Sequence, residues 1–303
     1  MKAVYDCEII DQTEVSPGVY RTRLTGPEIA RESAAGQFVN VQVAKTTDPL
    51  LRRPFSVHAV YPSEGVFSLL YVVIGQGTEL LRRAAAGEKI SVVGPLGRGF
   101  DLGDEPRAEH VIVAGGCGAA PLHFLCDALC AKWGCEKVTV LAGAQSKDAV
   151  LCEAEFRAHG VEVGISTDDA SYGYPGLVTQ LLEKHLAQIQ NPKSKIQDVR
   201  VYSCGPHAML KEVARICRAA GVSSCQVSLE NNMACGLGVC MGCVQKVKSR
   251  KSKVESPGDI PHAGVGTGVS GFERSGNPET PGWHYERVCA DGPVFEAEDV
   301  IWE

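Results

Sequence analysis

The sequence predicts an α+β multidomain protein with three parts: an antiparallel β-barrel, an α/β domain with a parallel sheet, and a small C-terminal cysteine-rich domain. Three observations predict this arrangement. Short apolar strands separated by turns fill the first hundred residues, strands then alternate with helices, and closely spaced cysteines follow. We expect the domains to span residues 1–101, 102–225 and 226–303.

The composition is that of a globular protein and excludes several classes of function. The net charge is −6, so neither nucleic acid nor an anionic membrane surface is an expected partner. No apolar run reaches the ~18–20 residues that a transmembrane helix needs. Thirteen cysteines, behind an N-terminus without the apolar core of a signal peptide, indicate a cytoplasmic protein whose thiols stay reduced.

The first domain is predicted to be a barrel of short strands. Alternating Val, Ile, Phe and Tyr residues indicate strands, and clusters of Pro and Gly mark the turns between them. Strands at this spacing are typical of a small antiparallel barrel. The expected strands cover 3–10, 19–24, 37–43, 55–59, 66–73 and 89–93, with one helix over 78–86.

Two motifs in this domain predict a flavin site. Arg53, Pro54, Phe55 and Ser56 lie at the start of a strand, where the guanidinium can bind a pyrophosphate and the hydroxyl can reach the isoalloxazine edge. Alone, the tetrapeptide is a weak signal, and an exposed Arg beside a structural Pro is the default interpretation. Gly75–Thr78 then precedes a helix whose N-terminal amides can bind phosphate, which favours the flavin interpretation.

The second domain reads as alternating strands and helices, which implies a parallel sheet with ligands at the carboxyl ends of its strands. Gly115, Gly116 and Gly118 directly follow the first strand, where a nucleotide pyrophosphate can approach a helix N-terminus. Cys204 ends another strand at the same edge, so it is our candidate for a residue beside a nicotinamide. The alternative is a strand-to-helix turn with a thiol that only packs.

The third domain carries the most specific motif. Cys235, Cys240 and Cys243 have the C-x4-C-x2-C spacing of plant-type ferredoxins, and Cys289 follows as a fourth thiolate for a 2Fe–2S cluster. A structural zinc site is the alternative, but zinc sites usually contain two C-x2-C pairs and only one is present. Residues 248–283 are rich in Lys, Ser, Gly and Pro, which predicts a loop insertion.

Two other groups of potential ligands receive no role. Cys126 and Cys130 lie four apart on one predicted helix face and are interpreted as core residues, because free cysteine is usually buried. The eight histidines form no H-x3-H pair and no Cys/His cluster.

These motifs, in this order, resemble the ferredoxin reductase-like superfamily over nearly the whole chain. The stretches 230–236 and 288–295 more specifically resemble the electron-transfer subunits of dihydroorotate dehydrogenase B. The resemblance implies FAD, a 2Fe–2S cluster and NAD as cofactors, with cluster ligation by the four cysteines named above. It implies an FAD site formed by Arg53, Pro54, Phe55, Ser56, Leu70, Tyr71, Val72, Gly77 and Thr78.

The chain departs from the family pattern at two places. Val72 stands where the family often has an Arg after the strand Tyr, which removes a polar contact to FAD. The gap between Cys243 and Cys289 is longer than the family's usual loop, so Cys289 is the least secure of the four ligands.

The resemblance also implies a function. An FMN-containing catalytic subunit would oxidise dihydroorotate, and electrons would pass through the cluster and FAD to NAD+, in pyrimidine (UMP) biosynthesis and in an α2β2 heterotetramer. The segment after the second strand of the α/β domain contains Lys147 but no Arg that could bind a 2′-phosphate. This favours NAD over NADP. The alternatives are a flavin and iron–sulfur subunit of an NAD(P)H:ferredoxin oxidoreductase or sulfhydrogenase, a self-contained NADH oxidase, and a non-catalytic interaction module. Cys235 argues against those relatives that place an acid at the first cluster position.

Overall fold

The first part of the chain closes into a six-stranded antiparallel barrel, as predicted. The structure is a computed structural model that describes residues 3–105, 108–189, 196–249 and 282–302. The strands pair in the order β1-β2-β5-β4-β3-β6. They are β1 (Ala3–Ser16), β2 (Val19–Thr25), β3 (Phe38–Val41), β4 (Arg53–Tyr61), β5 (Val66–Val72) and β6 (Lys89–Leu96), with helices α1 (Pro27–Glu32) and α2 (Gln76–Arg83).

The barrel contains one element that the sequence did not reveal. Helix α1 has six residues and no side-chain N-cap, since Gly26 occupies that position. A helix of this length is too short to show a 3.6-residue apolar periodicity. The helix α2, expected over 78–86, begins two residues earlier, because Thr78 caps the turn that precedes it rather than starting the helix.

The second part of the chain is a parallel sheet with helices packed on it. Its strands are β7 (Glu109–Gly115), β8 (Val138–Ala144), β9 (Glu162–Thr167), β10 (Tyr174–Pro175), β11 (Val199–Cys204) and β12 (Ser224–Ser228), in the order β10-β9-β8-β7-β11-β12. The helices are α3 (Ala119–Trp133), α4 (Glu153–Ala158), α5 (Val178–Ile189) and α6 (His207–Ala220). No helix in the described part of the chain is both long and apolar enough to span a membrane.

Helix α3 joins the barrel to the sheet. It is buried without interruption from Ala119 to Cys126, because it packs against β4 of the barrel on one side and against β7 on the other. A helix buried on opposite faces needs apolar residues all round rather than a single stripe, and this sequence supplies them. The helix therefore fixes how the two domains sit together.

The C-terminal segment is tied into the same sheet. It contains a hairpin of β13 (Val244–Lys248) and β14 (Trp283–Arg287), followed by β15 (Val294–Glu296), which pairs antiparallel with β12. The expected boundary at 225/226 falls inside β12, so the last two strands of the sheet lie around the cysteine-rich segment. The two ends of the expected 248–283 insertion belong to the hairpin, and residues 250–281 lie outside the described part.

Candidate functional site

The cysteine-rich loop gathers the four predicted ligands into two neighbouring pairs. The thiols of Cys235 and Cys240 lie within hydrogen-bonding reach of each other, and so do those of Cys243 and Cys289. The loop between them turns through Gly236 (φ 69°) and Gly238 (φ 83°), in the left-handed region that favours glycine. The fold therefore brings Cys289, which is distant in sequence, to the cysteine loop.

Each of the four sulfurs accepts a backbone N–H, as in a site shaped for thiolates. The Leu237 amide donates to Cys235 Sγ at 3.3 Å, and the Gly238 amide donates to Cys289 Sγ at 3.1 Å. The remaining two are Gly242 N–H to Cys240 Sγ and Cys289 N–H to Cys243 Sγ, both at 3.4 Å. Hydrogen bonds to the sulfurs are a main means by which a protein sets the potential of an iron–sulfur cluster.

The two-by-two arrangement distinguishes a two-iron cluster from a zinc ion. A tetrahedral zinc with Zn–S bonds of about 2.3 Å needs its four sulfurs about 3.8 Å from one another. Among the described residues, the set of three or more ligand atoms that lie within 4.8 Å of one another contains no cysteine. A 2Fe–2S cluster takes two thiolates on each of two irons, so the paired thiols fit a cluster of this kind.

Protonation of the thiols differs across the loop. Burial opposes ionisation of Cys235, but the amides of Leu237, Cys240 and Val239 outweigh it and lower the pKa of its thiol to about 6. Burial, reinforced by the neighbouring Cys243, raises the pKa of Cys289 to about 12. Metal coordination deprotonates a thiol outright, so Cys289 would become a thiolate only when iron is bound.

An arginine that sequence reasoning did not single out holds the loop in place. Arg287 forms a bidentate pair with Asp291 at 2.8 and 3.0 Å, and its Nη1 donates to the Gly238 carbonyl at 2.7 Å. The amide of the same glycine donates to Cys289. Arg287 thus supports a predicted cluster ligand through one peptide unit. Its position two residues before Cys289 was the only sequence signal for this role.

The cysteine loop rests directly on the barrel. Asn40 of β3 is 2% exposed, and its Nδ2 donates to the Cys235 carbonyl at 3.2 Å. Its partner across the ladder is Pro54 of β4, which belongs to the predicted flavin motif. Asn40 therefore connects Cys235, the first predicted cluster ligand, to the strand that carries the Arg53–Ser56 motif.

The structure brings the two parts of the predicted flavin site together. A Cβ atom on Gly77 would lie 2.7 Å from Arg53 Nε, so the guanidinium lies against the first turn of α2. The first N–H groups of a helix have no partner within the helix. Arg53 Nη1 donates to the Leu51 carbonyl at 2.5 Å, which holds the guanidinium in this position. A guanidinium beside the amides of a helix N-terminus fits the pyrophosphate of FAD.

The other predicted flavin residues have varied surroundings. Phe55 and Tyr71 are buried in the barrel with ring centroids 5.2 Å apart, and the Tyr71 hydroxyl accepts from Gln12 at 2.7 Å. Thr78 Oγ1 accepts from the Ile74 and Gly75 amides, so this hydroxyl holds the turn before α2. Ser56 and Pro54 are partly exposed, Leu70 is buried, and Val72 faces the large cavity described next.

A cavity of about 830 Å³ lies between the barrel and the carboxyl edge of the sheet. The barrel contributes Val19 and Val72, and the sheet contributes Gly115, Gly116 and Cys117. Burial raises the pKa of Cys117 to about 11, and its sulfur lies beside the Val72 amide, so the glycine-rich turn touches the end of β5. Parallel sheets bind nucleotides at this edge. The volume of the cavity is large enough for one nucleotide half of a dinucleotide.

Gly118 and Cys204 are brought together behind this cavity. A Cβ atom on Gly118 would overlap the Cys204 carbonyl, so glycine is required where β7 and β11 end side by side. The Cys204 thiol is 1% exposed and does not line the cavity. Burial, and then the Glu230 carboxylate, raise the pKa of Cys204 well above its usual range. Glu230 directly precedes the cluster motif and was not among the predicted site residues.

The cavity lining carries negative charge. Asp148, Asp168 and Glu212 line it, and none of the described lining residues is Lys, Arg or His. The Lys147 ammonium lies 5.6 Å from the centre of the Tyr172 ring rather than at the cavity. Carboxylates suit the ribose hydroxyls of NAD and oppose the 2′-phosphate of NADP.

Comparison with known protein families divides the chain in the same way. Residues 6–100 match the oxidoreductase FAD-binding domain, and residues 112–215 match the oxidoreductase NAD-binding domain. Residues 230–256 match the iron–sulfur cluster binding domain of dihydroorotate dehydrogenase B. The chain thus carries binding domains for all three predicted cofactors.

Relatives are similar over nearly the full length of the chain. The chain is 37% identical over 303 residues to a dihydroorotate dehydrogenase B (NAD+) electron transfer subunit from Desulforamulus reducens, covering 100% of both chains. The corresponding subunit from Geobacillus thermodenitrificans is 36% identical and covers 97% of this chain and 96% of its own.

Among solved structures, the NADH-dependent reduced ferredoxin-NADP oxidoreductase is similar with a TM-score of 0.75 and 26% identity, covering 98% of this chain and 90% of that chain. A ferredoxin NADP+ reductase from Neisseria gonorrhoeae, at 19% identity and a TM-score of 0.59, covers 72% of this chain and 92% of that one and supports the fold alone. From the full-length relatives and the matched domains, the chain belongs to the family of dihydroorotate dehydrogenase B (NAD+) electron transfer subunits.

Proposed function

We propose that this chain receives electrons from an FMN-containing dihydroorotate dehydrogenase catalytic subunit and delivers them to NAD+ in pyrimidine biosynthesis. The observation that carries the proposal is the continuity of the three sites. Asn40 joins the cysteine loop to the barrel strand beside the flavin motif, and Val72 and Cys117 join the barrel to the nicotinamide cavity. The proposed site residues are those predicted from sequence, within the proposed domains 1–101, 102–225 and 226–303.

The chain's residues hold and insulate the cofactors rather than act as acids or bases. A bound flavin would convert between one-electron transfer at a cluster and two-electron hydride transfer at a nicotinamide. Arg53 and the first turn of α2 would hold its pyrophosphate, while the four cysteines would hold the cluster. Cys204, buried at the end of β11, is proposed to shape the surface against which the nicotinamide rests.

The partner is proposed to dock where the cysteine loop reaches the surface. Cys240 is exposed, and around it Leu237, Val239 and Met241 are 45%, 81% and 52% exposed. Apolar side chains at a loop tip are expected at a site of protein–protein contact. We propose that two such chains and two catalytic subunits form an α2β2 heterotetramer in the cytoplasm, where the thirteen free thiols stay reduced.

The decisive experiment is coexpression with the FMN-containing catalytic subunit. The purified complex should reduce NAD+ when dihydroorotate is added, with much slower reduction of NADP+. The isolated chain should contain FAD and two irons and should show flavin and cluster bleaching by NADH under anaerobic conditions. Reduction by NADH without any coupling to dihydroorotate would instead favour an NAD(P)H:ferredoxin oxidoreductase, to which the solved relative is similar.

A further inference from the structure

Three side chains outside the redox sites converge at the junction of the barrel and the α/β domain. One ring nitrogen each of His123 and His159 and one carboxylate oxygen of Asp127 lie within 4.8 Å of one another. His123 and Asp127 share a face of α3 because they are four residues apart, and His159 caps the C-terminal end of α4. The sequence did not reveal the set, because two of its members are separated by more than thirty residues.

The orientation of His123 is set by the barrel. Its Nδ1 lies 3.2 Å from the His58 carbonyl, and since a carbonyl only accepts, Nδ1 carries the proton. Nε2 therefore keeps its lone pair. A histidine that donates one ring N–H to a backbone carbonyl while presenting the other nitrogen is the usual arrangement of a metal ligand.

The other two side chains are accessible and already paired. His159 Nε2 lies 2.8 Å from Asp127 Oδ1, and these side chains are 27% and 35% exposed. An ion can therefore enter from solvent, whereas His123 is 8% exposed and closes the inner side. Next to the site, the His58 ring packs edge-on at 4.6 Å from the His123 ring, and its buried Nδ1 has no hydrogen-bond partner in the described structure.

We propose that His123, Asp127 and His159 form a binding site for a divalent transition-metal ion, with Zn²⁺ as the first candidate. Two imidazoles and one carboxylate are a donor set that zinc accepts, with water as a fourth ligand. Tetrahedral ligand atoms stand about 3.3 Å apart, so the set closes on an ion by small side-chain movements. The ion takes the place of any proton shared by His159 and Asp127, and that proton leaves to solvent.

The ion would strengthen the contact among three elements that already meet through the His159–Asp127 pair and the His123–His58 hydrogen bond. It would link α3 to the end of α4, and the His123–His58 hydrogen bond would extend the link to β4 of the barrel. The Phe156 ring centre lies 6.0 Å from that of His123, so α4 already packs against α3 at this position. A site at this position stabilises the arrangement of the two domains without touching the cavity or the cysteine loop.

The test uses the whole protein with FAD and iron loaded, so that the cluster cysteines are occupied. After chelator treatment and gel filtration, the protein is titrated with Zn²⁺ against a chromophoric zinc chelator, and zinc and iron are measured by mass spectrometry. We expect one zinc per chain with unchanged iron, and a rise in the thermal unfolding midpoint. Asp127→Asn and His159→Gln should each weaken zinc affinity at least tenfold and abolish the rise.

The matched control is His284→Gln. His284 and Glu286 form an imidazole–carboxylate pair of similar length, 3.0 Å, which belongs to no group of three ligands in the described residues. This variant should bind zinc like the wild type. The proposal is overturned if the wild type binds no stoichiometric zinc, if zinc uptake accompanies iron loss, or if Asp127→Asn binds zinc with wild-type affinity.

Discussion

At the scale of single residues, the backbone around the cluster cysteines is more demanding than their spacing suggests. Gly238 has φ 83°, and a Cβ atom there would lie 2.7 Å from Ala290 Cβ. The same residue donates its amide to Cys289 and its carbonyl accepts from Arg287. A side chain at this position would therefore disturb both the loop and a ligand.

We expect Gly238→Ala to lower the iron and sulfide content of the purified protein. Gly87→Ala is the matched control, since Gly87 has φ 86° but no atom within 4 Å of a built Cβ. The control should cost only the backbone strain, about 1 kcal/mol, and should keep the cluster. Equal cluster content in the two variants would show that the contact with Ala290 is harmless.

The contacts of the Arg287 side chain lead to a second prediction at this scale. Arg287→Gln removes the donor to the Gly238 carbonyl and the bidentate pair with Asp291, so the cluster should be lost to a chelator about tenfold faster. Arg215→Gln removes an equivalent bidentate pair with Glu212 on α6 and should leave the rate unchanged. Loss of visible absorbance measures both rates, and similar rates would contradict the bracing role.

At the scale of an element, the N-terminus of helix α2 and the Arg53 guanidinium beside it form the positive end of the proposed flavin site. Arg53→Ala should weaken FAD binding about 10- to 100-fold, because a charge-assisted hydrogen bond contributes about 1.5–3 kcal/mol. Arg83→Ala, on the exposed side of the same helix and paired with Glu79, is the control that should retain FAD. FAD affinity is measured by titrating the deflavinated protein. Retention of wild-type affinity by Arg53→Ala would remove this residue from the site.

The buried strand β7 makes a pH-dependent contribution to stability. Burial, helped by Arg200, lowers the pKa of His110 to about 4, against an ordinary value near 6.5, while its Nδ1 is 3.2 Å from the Tyr202 hydroxyl. Between these values the unfolded chain binds a proton that the folded chain does not. The contribution is therefore complete above pH 6.5 and is lost as the pH falls toward 4.

Urea unfolding of the wild type and of His110→Gln at pH 7, 6 and 5 measures this contribution. The wild type should lose up to about 1.4 kcal/mol per pH unit more than the variant, which has no group to protonate at this position. Parallel losses in the two proteins would mean that the pKa of His110 is the same in the folded and unfolded states.

At the scale of the whole molecule, a surface mutation at the cysteine loop should impair electron transfer from the partner without impairing the reaction with NADH. Val239→Asp places a charge beside Cys240 on the proposed docking surface, so it should reduce dihydroorotate-driven NAD+ reduction severalfold. Anaerobic reduction of the flavin by NADH should be unchanged, because the proposed nicotinamide site lies at the carboxyl edge of the parallel sheet, away from the cysteine loop. Val4→Asp, at a 64% exposed valine of β1, is the control. If Val239→Asp also slowed the reduction of the flavin by NADH, the docking surface and the nicotinamide site would not be independent.

Much of this architecture could be predicted because it depends on patterns within short stretches of the sequence. The alternation in β5, the glycines after β7 and the C-x4-C-x2-C spacing each reflect short-range backbone requirements. The antiparallel β15, the Asn40–Cys235 contact and the His123–Asp127–His159 set could not be predicted, since each depends on residues that only the tertiary fold brings together. The role of Cys204 stays a prediction, because its thiol is buried beside the cavity rather than in it.

The pairing of β15 with β12 also sets the order in which the protein can be assembled. Domains generally fold as the ribosome releases them, so the barrel can fold while later segments are still being made. The cysteine loop is different, because Cys289 and the strand that anchors it are synthesised after the other three ligands and after the rest of the sheet. Cluster insertion must therefore wait until translation has passed residue 296, which makes it a late step of maturation.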